Sequence, residues 1–385
     1  MRVLHLLKTA VGASWALRQT TELVKLGAEV HLALPDGPMV AKYQQAGVIV
    51  HLFDPALNLP KPWQNINKIK ALRALVAQIQ PDIIHSHFVA STLLMRLALR
   101  ASPIPRIFHV PGPLHLEHWL FRHIEIGLAT QQDYWLASCL WTKARYLRSG
   151  ITERRVGLAY YGVNEEDFVF QRAPTLDLKQ QLSLPSNSFI IGMVAYFYAP
   201  KPYLGQTRGL KGHEDLIDAI AIVKQQYPQV RCIFVGGPWG NAQAYFSKVK
   251  EYAQRVAGEH CIFLGLRHDV PLLYPQFDLA VHPSHSENVG GAVQSMYAQV
   301  ATLTSNVGGF PDLVIDGETG YMVNAKSPQQ LAAKIIQAIN QPEERQKLVT
   351  QARQKVAQVM NVQHNAKQVF DFYQHVQEIE KGKYA

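Results

Sequence analysis

Several features that define other classes of protein are missing from this chain of 385 residues. It has only three cysteines, and their scattered positions form neither a disulfide framework nor a metal-spaced cluster, so we interpret them as small apolar residues in a reducing compartment. No apolar run approaches the ~20 residues of a membrane-spanning helix. The first residues carry too short an apolar run for a signal peptide. These absences predict a cytoplasmic protein.

Motifs for other ligands are missing as well. No Gly-x-Gly-x-x-Gly follows the first predicted strand, which argues against a dehydrogenase. No Asp-x-Asp pair stands at the end of a strand, where it would hold a cation against a diphosphate. The net charge is +9, yet no basic run interleaved with aromatic residues accompanies it. The sequence therefore argues against nucleic-acid binding as well.

Short apolar runs alternate with helical stretches along the whole chain, which is typical of parallel sheets covered on both faces. Because one core rarely grows past ~250–300 residues, we expect two α/β domains joined by the polar segment Glu165–Asn187. The predicted strands are Val3–Leu7, Val30–Leu34, Val48–Phe53, Ile83–Ser86, Ile107–Val110, Tyr134–Ser138, Val156–Tyr160, Phe189–Val194, Cys232–Gly236, Cys261–Leu264, Leu279–His282 and Ala301–Ser305. A last helix is predicted from Val362 to Lys381.

One loop has the chemistry of a phosphate-binding site. The apolar run Leu279–His282 leads into a polar loop with one carboxylate, Glu287, and then Gly290 and Gly291 open a helix. Unpaired N–H groups at a helix N-terminus attract anions, and glycine allows the ligand to approach the main chain. Glu287 can accept hydrogen bonds from sugar hydroxyls. An ordinary loop-to-helix turn is the alternative for an isolated Gly-Gly.

The motifs around this loop resemble those of the family 4 retaining glycosyltransferases, which have the GT-B fold. They occur in this order: Pro81–His87, Tyr161–Asn164, Leu210–Ile217, Phe263–Gly265, His282–Glu287, Val307–Pro311 and Asp316–Gly320. The resemblance implies an α/β protein of two Rossmann-like, doubly wound domains that face each other across a cleft. Residues 1–170 would bind the acceptor, residues 185–360 would bind a nucleotide sugar, and residues 361–385 would form a helix that crosses back to the first domain.

The same resemblance implies roles for individual residues. Lys211 matches the lysine that grips the donor diphosphate, and Glu287 matches a carboxylate that contacts the donor sugar. Backbone groups near Gly265, Leu266 and Arg267 are expected to meet the uracil. The expected donor-binding residues are Gly12, Arg208, Lys211, Gly265, Leu266, Glu287, Asn288, Val289, Gly290, Gly291 and Gln294. The expected catalytic residues are His115, Glu287 and Lys211, with no bound cofactor and no metal.

The chain departs from the family pattern at two places. Most relatives have an arginine after a glycine that follows the first strand of the second domain, and Ala195–Phe197 stands there instead. Arg208 either folds back to substitute for that arginine or is a solvated loop residue. Gln294 replaces the second family glutamate, which exchanges a charge-assisted hydrogen bond of ~1.5–3 kcal/mol for a neutral one of ~0.5–1.5 kcal/mol. We expect about tenfold weaker nucleotide binding from that exchange.

In the N-terminal half, two positions are expected near the reaction. Gly12 follows the first strand and is placed to turn backbone amides toward the cleft, although a simple turn fits equally well. Relatives keep an active-site histidine after the strand that ends at Val110, and we expect His115 in this role over His109 and His118. A neutral imidazole there could orient the donor sugar or accept the acceptor proton.

A basic helix offers one further hypothesis. Lys61, Lys68, Lys70 and Arg73 adjoin apolar residues at near-helical spacing. Those apolar residues are Ile66, Ile69, Leu72, Leu75, Val76 and Ile79. Such a helix can dock on anionic lipid. The alternative is a solvated basic face on a helix whose apolar stripe packs into the core.

Together these features predict a hexosyltransferase that moves glucose from UDP-glucose to a saccharide or lipid-linked acceptor in envelope or exopolysaccharide synthesis. It would work in the cytoplasm, with peripheral contact at the inner face of the membrane. A nucleotide-sugar 2-epimerase, which changes the donor without an acceptor, is one alternative. A catalytically weak scaffold that binds the UDP-sugar without turnover is another. An inverting transferase of the same fold is disfavoured because its usual catalytic base and donor loop are not seen.

Overall fold

The structure is a computed structural model that describes residues 1–110, 112–168 and 177–383. The chain divides into two compact α/β units. The first comprises Met1–Asn164 with Met360–Ala385, and the second comprises Glu165–Val359. The expected domain end at residue 170 lies outside the described residues.

The described part of the first unit contains a parallel seven-stranded sheet in the order β3-β2-β1-β4-β5-β6-β7. Its strands are β1 (Arg2–Leu6), β2 (Glu29–Leu34), β3 (Ile49–Leu52), β4 (Ile83–Ser86), β5 (Arg106–His109), β6 (Asp133–Ala137) and β7 (Val156–Leu158). Its α-helices are α1 (Ser14–Lys25), α2 (Val40–Gln45), α3 (Gln64–Ile79), α4 (Val89–Ala98), α5 (Leu114–Glu117), α6 (Trp119–Gly127), α7 (Leu140–Arg148) and, after the second unit, the terminal helix Val362–Gly382.

Helices cover both faces of this sheet because successive strand side chains point to opposite sides. Val3, Ile83 and Ile107 pack with α1, α2 and the terminal helix. On the other face, Leu4 and Ile84 pack with α3 and α4. The terminal helix contributes apolar residues to the first core, namely Val369, Phe372, Tyr373 and Val376.

The apolar stripe predicted in α3 belongs to this core. Leu72, Val76 and Ile79 are buried against the sheet and α4. Of the basic residues beside the stripe, Lys68 donates to Asp54 at 2.6 Å and Arg73 donates to the carbonyl of Ala98 at 2.6 Å. The core-packed alternative therefore describes most of the stripe, while Ile66 at its start is 58% exposed.

The described part of the second unit contains a parallel six-stranded sheet in the order β10-β9-β8-β11-β12-β13. Its strands are β8 (Phe189–Val194), β9 (Val230–Val235), β10 (Cys261–Gly265), β11 (Leu279–His282), β12 (Thr302–Ser305) and β13 (Tyr321–Val323). Its α-helices are α8 (Leu178–Gln181), α9 (His213–Val223), α10 (Gln243–Val256), α11 (Val270–Leu273), α12 (Gly290–Tyr297), α13 (Phe310–Leu313), α14 (Pro328–Asn340) and α15 (Pro342–Val359); the terminal helix is α16. None of the helices in the described part of the chain combines the length and apolar character that a membrane crossing requires.

Candidate functional site

A cavity of about 390 Å³ opens at the carboxyl ends of the strands of the second sheet. β8 and β11 are neighbours in this sheet, and the chain continues outward from them on opposite sides. Open α/β sheets bind ligands at such a topological switch point. The cavity is lined by Met193, Val194, Ala195, Tyr196, Tyr198, Lys211, Val235, Gly236, Leu266, Arg267, Val270, His282, Ser284, Glu287, Gly290, Gly291 and Gln294.

Lys211 and Glu287 form an ion pair in the wall of this cavity. Their side chains are 20% and 14% exposed, so solvent screens the pair only in part. Gly212 allows the lysine to sit there. It has a φ of +74°, and a Cβ at this position would lie 2.1 Å from the carbonyl oxygen of Pro283. Because only glycine tolerates both conditions, the loop before α9 packs directly against the loop after β11.

The N-terminus of α12 forms the opposite part of the wall. No side-chain hydrogen bond caps this helix at Val289, so its first N–H groups are left for a ligand. A Cβ at Gly291 would lie 2.7 Å from Nδ1 of His282, whereas one at Gly290 would meet nothing within 4 Å. The first glycine is therefore open and the second lets the helix pack against β11. A helix terminus of this kind attracts an anion.

The residues between Glu287 and α12 include one that orients the Glu287 carboxylate. The backbone N–H of Asn288 donates to Oε1 of Glu287 at 3.1 Å. The buried Oδ1 of Asn288 has no hydrogen-bond partner among the described residues. Val289 is buried and is the residue before α12. Neither Asn288 nor Val289 lines the cavity itself.

Gln294 and Leu266 also reach the cavity, as the sequence predicts. The hydroxyl of Tyr274 donates to Oε1 of Gln294 at 3.4 Å. Gly265 ends β10 and accepts a hydrogen bond from the N–H of Gly236 at 2.8 Å. It therefore lies beside the wall, next to Leu266, without being part of it.

The sequence predicted no side-chain role for two residues of the wall, although the backbone of Arg267 was expected near the uracil. Arg267 brings a second cation to the wall, where its Nε donates to Oδ1 of Asp269 at 2.7 Å. The ring of Tyr198 lies 5.8 Å from Nζ of Lys211. Arg267 directly follows the strand and turn that end at Leu266, and that position is the signal that points to it.

Arg208 does not line this cavity. Its Nη1 donates to Asp215 at 2.6 Å and to Asp218 at 2.7 Å, and Asp215 also bonds Nε2 of His285 at 2.6 Å. Burial opposes ionisation of Asp215, but the hydrogen bonds from His285 and Arg208 outweigh it and lower the pKa of that carboxyl. Arg208 lines a different cavity, together with Tyr245. The structure therefore ties this arginine to two carboxylates outside the donor pocket.

In the first unit, four buried histidines meet at the carboxyl ends of β1, β4 and β5. We call His5, His85, His87 and His109 the histidine cluster. Nδ1 of His5 and Nε2 of His87 share a hydrogen bond of 2.9 Å. The rings of His85 and His109 lie 5.3 Å apart. All four side chains are fully buried.

Two tyrosines hold the histidine cluster in place. The hydroxyl of Tyr373, on α16, lies 2.5 Å from Nδ1 of His85 and 3.3 Å from Nε2 of His5. Tyr161 stacks on His109 with ring centroids 4.0 Å apart. Burial, with a smaller contribution from the imidazole of His109, lowers the pKa of His5 to about 3. Burial alone lowers the pKa of His109 to about 3, against the hydrogen bond to Ala159. The cluster is therefore neutral at physiological pH.

Three members of the cluster have the spacing of a metal site. Ligand nitrogens of His5, His85 and His87 all lie within 4.8 Å of one another, and Nε2 of His85 has no partner among the described residues. Both ring nitrogens of His5 and of His87, and Nδ1 of His85, already have hydrogen-bond partners. A metal ion binds neutral imidazole, so the charge state does not exclude it, but a dication held by three nitrogens would have to displace hydrogen bonds of His5 and His87. The observed contacts fit a hydrogen-bonded neutral cluster better than a metal centre.

The structure places the predicted histidine His115 on the other side of the first sheet from His109. Its Nε2 lies 3.4 Å from the hydroxyl of Tyr146, and its ring lies 5.6 Å from that of Phe108. Burial lowers its pKa to about 4. His109 instead ends β5, with Nδ1 lacking a partner among the described residues. Gly12 lies in the exposed loop between β1 and α1 with a φ of +67°.

Comparison with known proteins assigns the chain to a family. The model for "Glycosyl transferases group 1" matches residues 202–355, and the model for "Glycosyltransferase Family 4" matches residues 13–167. Together the two models span most of both units. The chain therefore belongs to the family 4 glycosyltransferases, and its two parallel sheets form the GT-B fold.

Individual relatives agree with this assignment. "Putative glycosyltransferase EpsD" of Bacillus subtilis (strain 168) is 24% identical over 91% of this chain and 90% of that protein. A "D-inositol 3-phosphate glycosyltransferase" of Streptosporangium roseum is 25% identical over 83% of this chain and 78% of that protein. Among solved structures, Anabaena Alr3699/HepE in complex with UDP-glucose is 21% identical, has a TM-score of 0.78, and is matched over 96% of this chain and 98% of that one.

Proposed function

We propose that this glycosyltransferase moves glucose from UDP-glucose to a saccharide or lipid-linked acceptor, with retention of configuration and without a catalytic metal. The observation that carries the proposal is the meeting of the Lys211–Glu287 ion pair and the uncapped start of α12 in one cavity. A diphosphate requires cations and N–H donors, and a hexose requires a carboxylate for its hydroxyls. The HepE complexes with UDP and with UDP-glucose support this choice of donor.

Donor binding exchanges partners within the cavity. The diphosphate takes Lys211 from Glu287, and the released carboxylate accepts hydrogen bonds from the sugar hydroxyls. As the bond between the glucose C1 and the phosphate oxygen breaks, negative charge grows on the departing phosphate. Lys211, Arg267 and the first N–H groups of α12 stabilise that charge. The acceptor oxygen bonds to C1 from the same face, and the acceptor proton passes to the departing phosphate oxygen.

The acceptor side is assigned to the first unit, near the loop that contains Gly12. His115 is the histidine that the sequence predicts for the reaction. His109 is its competitor, because it ends β5 and keeps a nitrogen without a partner among the described residues. Kinetics of His115→Ala and His109→Ala decide between them, since only the active-site histidine should lower kcat more than it raises KM.

The direct test is a screen of nucleotide sugars by thermal shift, followed by NMR of the product formed from the best stabiliser. We expect UDP-glucose to stabilise the protein most and the product to keep the α configuration of the donor. A β-linked product would refute retention. Stabilisation by a purine nucleotide sugar alone would refute the choice of donor.

A catalytically weak scaffold is the second candidate. It is favoured by Gln294 and by the location of Arg208 outside the cavity. A scaffold would bind UDP-glucose but release no UDP when acceptors are supplied. A 2-epimerase would change the free donor without any acceptor. NMR of the donor without acceptor therefore identifies the epimerase, and UDP release with acceptors separates the transferase from the scaffold.

We place the reaction in envelope or exopolysaccharide synthesis, at the cytoplasmic face of the membrane. Lipid-linked acceptors are held there, and an enzyme that uses them gains from peripheral membrane contact. The family resemblance supports this setting. Supplying membrane extracts as acceptor tests it, because incorporation of glucose into the lipid fraction is the expected result.

A further inference from the structure

Helix α6 has its polarity reversed relative to an ordinary surface helix. Four large apolar side chains on it are exposed: Trp119 is 63%, Leu120 41%, Phe121 38% and Ile124 42% accessible. The residue that α6 buries completely is the carboxylate Glu125. A surface helix normally presents its charged residues to water and its apolar residues to the core.

The contacts of Glu125 explain the reversal. Its Oε1 accepts a hydrogen bond from Nε1 of Trp135 at 2.9 Å and pairs with Nη1 of Arg96 at 2.8 Å. Arg96 also pairs with Asp133 at 3.0 Å, and all of these charges are buried. Rotating α6 to hide its apolar side chains would leave Arg96 without one of its two carboxylates, which is strongly unfavourable in a protein interior. The apolar face is therefore fixed in an outward position.

Three arginines lie beside this face. Arg122 and Arg145 both donate to the carbonyl of Leu116, at 3.1 Å and 3.3 Å. Burial, followed by the charges of Arg122 and Arg148, lowers the pKa of Arg145, with Glu117 as the opposing acidic neighbour. Arg148, at the end of α7, is exposed. Positive charge is thus concentrated next to the exposed apolar side chains.

We propose that this surface docks the protein on an anionic lipid bilayer. The docking surface consists of Trp119, Leu120, Phe121 and Ile124, with Arg122, Arg145 and Arg148 beside them. Aromatic and aliphatic side chains enter the boundary between headgroups and acyl chains, while arginines pair with lipid phosphates. An anionic bilayer provides an apolar environment for the side chains of α6 and phosphates for the arginines. A purely apolar partner protein would leave three arginines without counter-charges.

This proposal rests on the proposed function, which places the reaction at the membrane, and it names the surface that would contact the lipid. It also replaces the α3 stripe with a different helix. Trp63 provides the matched control, because it is 65% exposed in the same unit and directly precedes α3. Substituting Trp63 or Trp119 by alanine removes the same side chain at nearly equal exposure.

The experiment is co-sedimentation of the full chain with phosphatidylcholine vesicles and with vesicles that also contain phosphatidylglycerol. We expect binding only to the anionic vesicles and weaker binding as salt is raised. Trp119→Ala should weaken partitioning more than Trp63→Ala does, and Trp119→Ala/Phe121→Ala should weaken it by about tenfold or more. Arg148→Gln should weaken it by about fivefold, as loss of one basic residue at an anionic surface predicts. Trp63→Ala should stay within about twofold of wild type.

Three results would overturn the proposal. Absence of wild-type binding excludes a lipid surface, and an equal loss in Trp63→Ala assigns docking away from α6. Self-association in light scattering that Trp119→Ala/Phe121→Ala abolishes would identify a second copy as the occupant. Circular dichroism and UDP affinity of each variant show that both units remain folded. Vesicle binding needs no turnover. It can therefore fail while UDP-glucose transfer succeeds, or succeed while transfer fails, so failure of the docking proposal is distinguishable from failure of the proposed function.

Discussion

Acid should destabilise the first unit through the histidine cluster. His5, His85, His87 and His109 all have pKa values lowered by burial. A histidine whose pKa is lowered by folding binds its proton more readily in the unfolded chain. Its stabilising effect is therefore complete above the unfolded pKa of ~6.5 and is lost as pH falls from there toward the folded value. For His5 and His109 the loss continues down to a pKa of about 3.

The magnitude follows from the width of that interval. Between about pH 7.5 and about pH 5.5, one such histidine loses about 1.4 kcal/mol of stability. Four together lose about 5 kcal/mol, which approaches the whole stability of a small domain. The hydroxyls of Tyr161 and Tyr373 face the cluster but offer no compensating charge, because burial raises the pKa of both tyrosines further above the ordinary value.

Tryptophan fluorescence reports selectively on this unit during urea unfolding. Of the six tryptophans, Trp239 alone belongs to the second unit. Unfolding a Trp239→Phe variant therefore follows the first unit by itself. We expect its free energy of unfolding to fall steeply below about pH 6.5.

His85→Gln should reduce the slope of that fall by about one proton, since it removes one of the four titrating groups. His364→Gln is the control, because His364 is exposed on α16. An unfolding free energy that stays flat down to about pH 5.5 would show that the cluster is solvated or already charged in the native protein.

Three further predictions concern the second unit. Glu287→Gln should leave UDP affinity unchanged or raise it, because Lys211 is released from its ion pair, but it should lower transfer by about tenfold or more; calorimetry and UDP-release assays measure the two effects. Gln294→Glu should hold or strengthen UDP binding by up to about tenfold if this residue meets the ribose, and a large decrease would place it elsewhere. Arg208→Gln should leave UDP affinity within about twofold while lowering the melting temperature, since it leaves Asp215 and Asp218 without their cation; a tenfold loss of affinity would show that Arg208 reaches the donor.

The fold could be predicted from the sequence because parallel strands are buried on both faces. Runs such as Ile83–Ser86 and Leu279–His282 are short, apolar and bounded by polar segments, and the structure confirms them as β4 and β11. β13 was missed because its apolar run, Tyr321–Val323, is only three residues long and follows a turn, whereas β7, of the same length, lies in the longer run Val156–Tyr160. Short edge strands carry little periodic signal.

The residues of the site were predictable from the sequence only where they stand in one local motif. Lys211, Glu287 and the Gly290–Gly291 pair stand in local motifs, and the structure brings them to one cavity. The histidine cluster joins residues from three strands, so no single motif contains it. The ion pairs of Arg208 were not predicted either. Its partners Asp215 and Asp218 are ordinary acidic residues of α9, and nothing in the sequence marks them as bound to an arginine. The reversal of α6 was also hidden, because it depends on Arg96, which lies far from Glu125 in sequence.

The proposed function depends on the grip of Lys211 on the diphosphate of UDP-glucose, which calorimetric titration of that donor measures. Lys347→Ala serves as the matched control, since Lys347 is exposed on α15 of the same unit. We expect saturable binding by the wild type and by Lys347→Ala, and binding by Lys211→Ala that is weaker by about 1.5–3 kcal/mol, or roughly ten- to a hundredfold. Equal affinity in all three proteins, or no binding of UDP-glucose by the wild type, would contradict it.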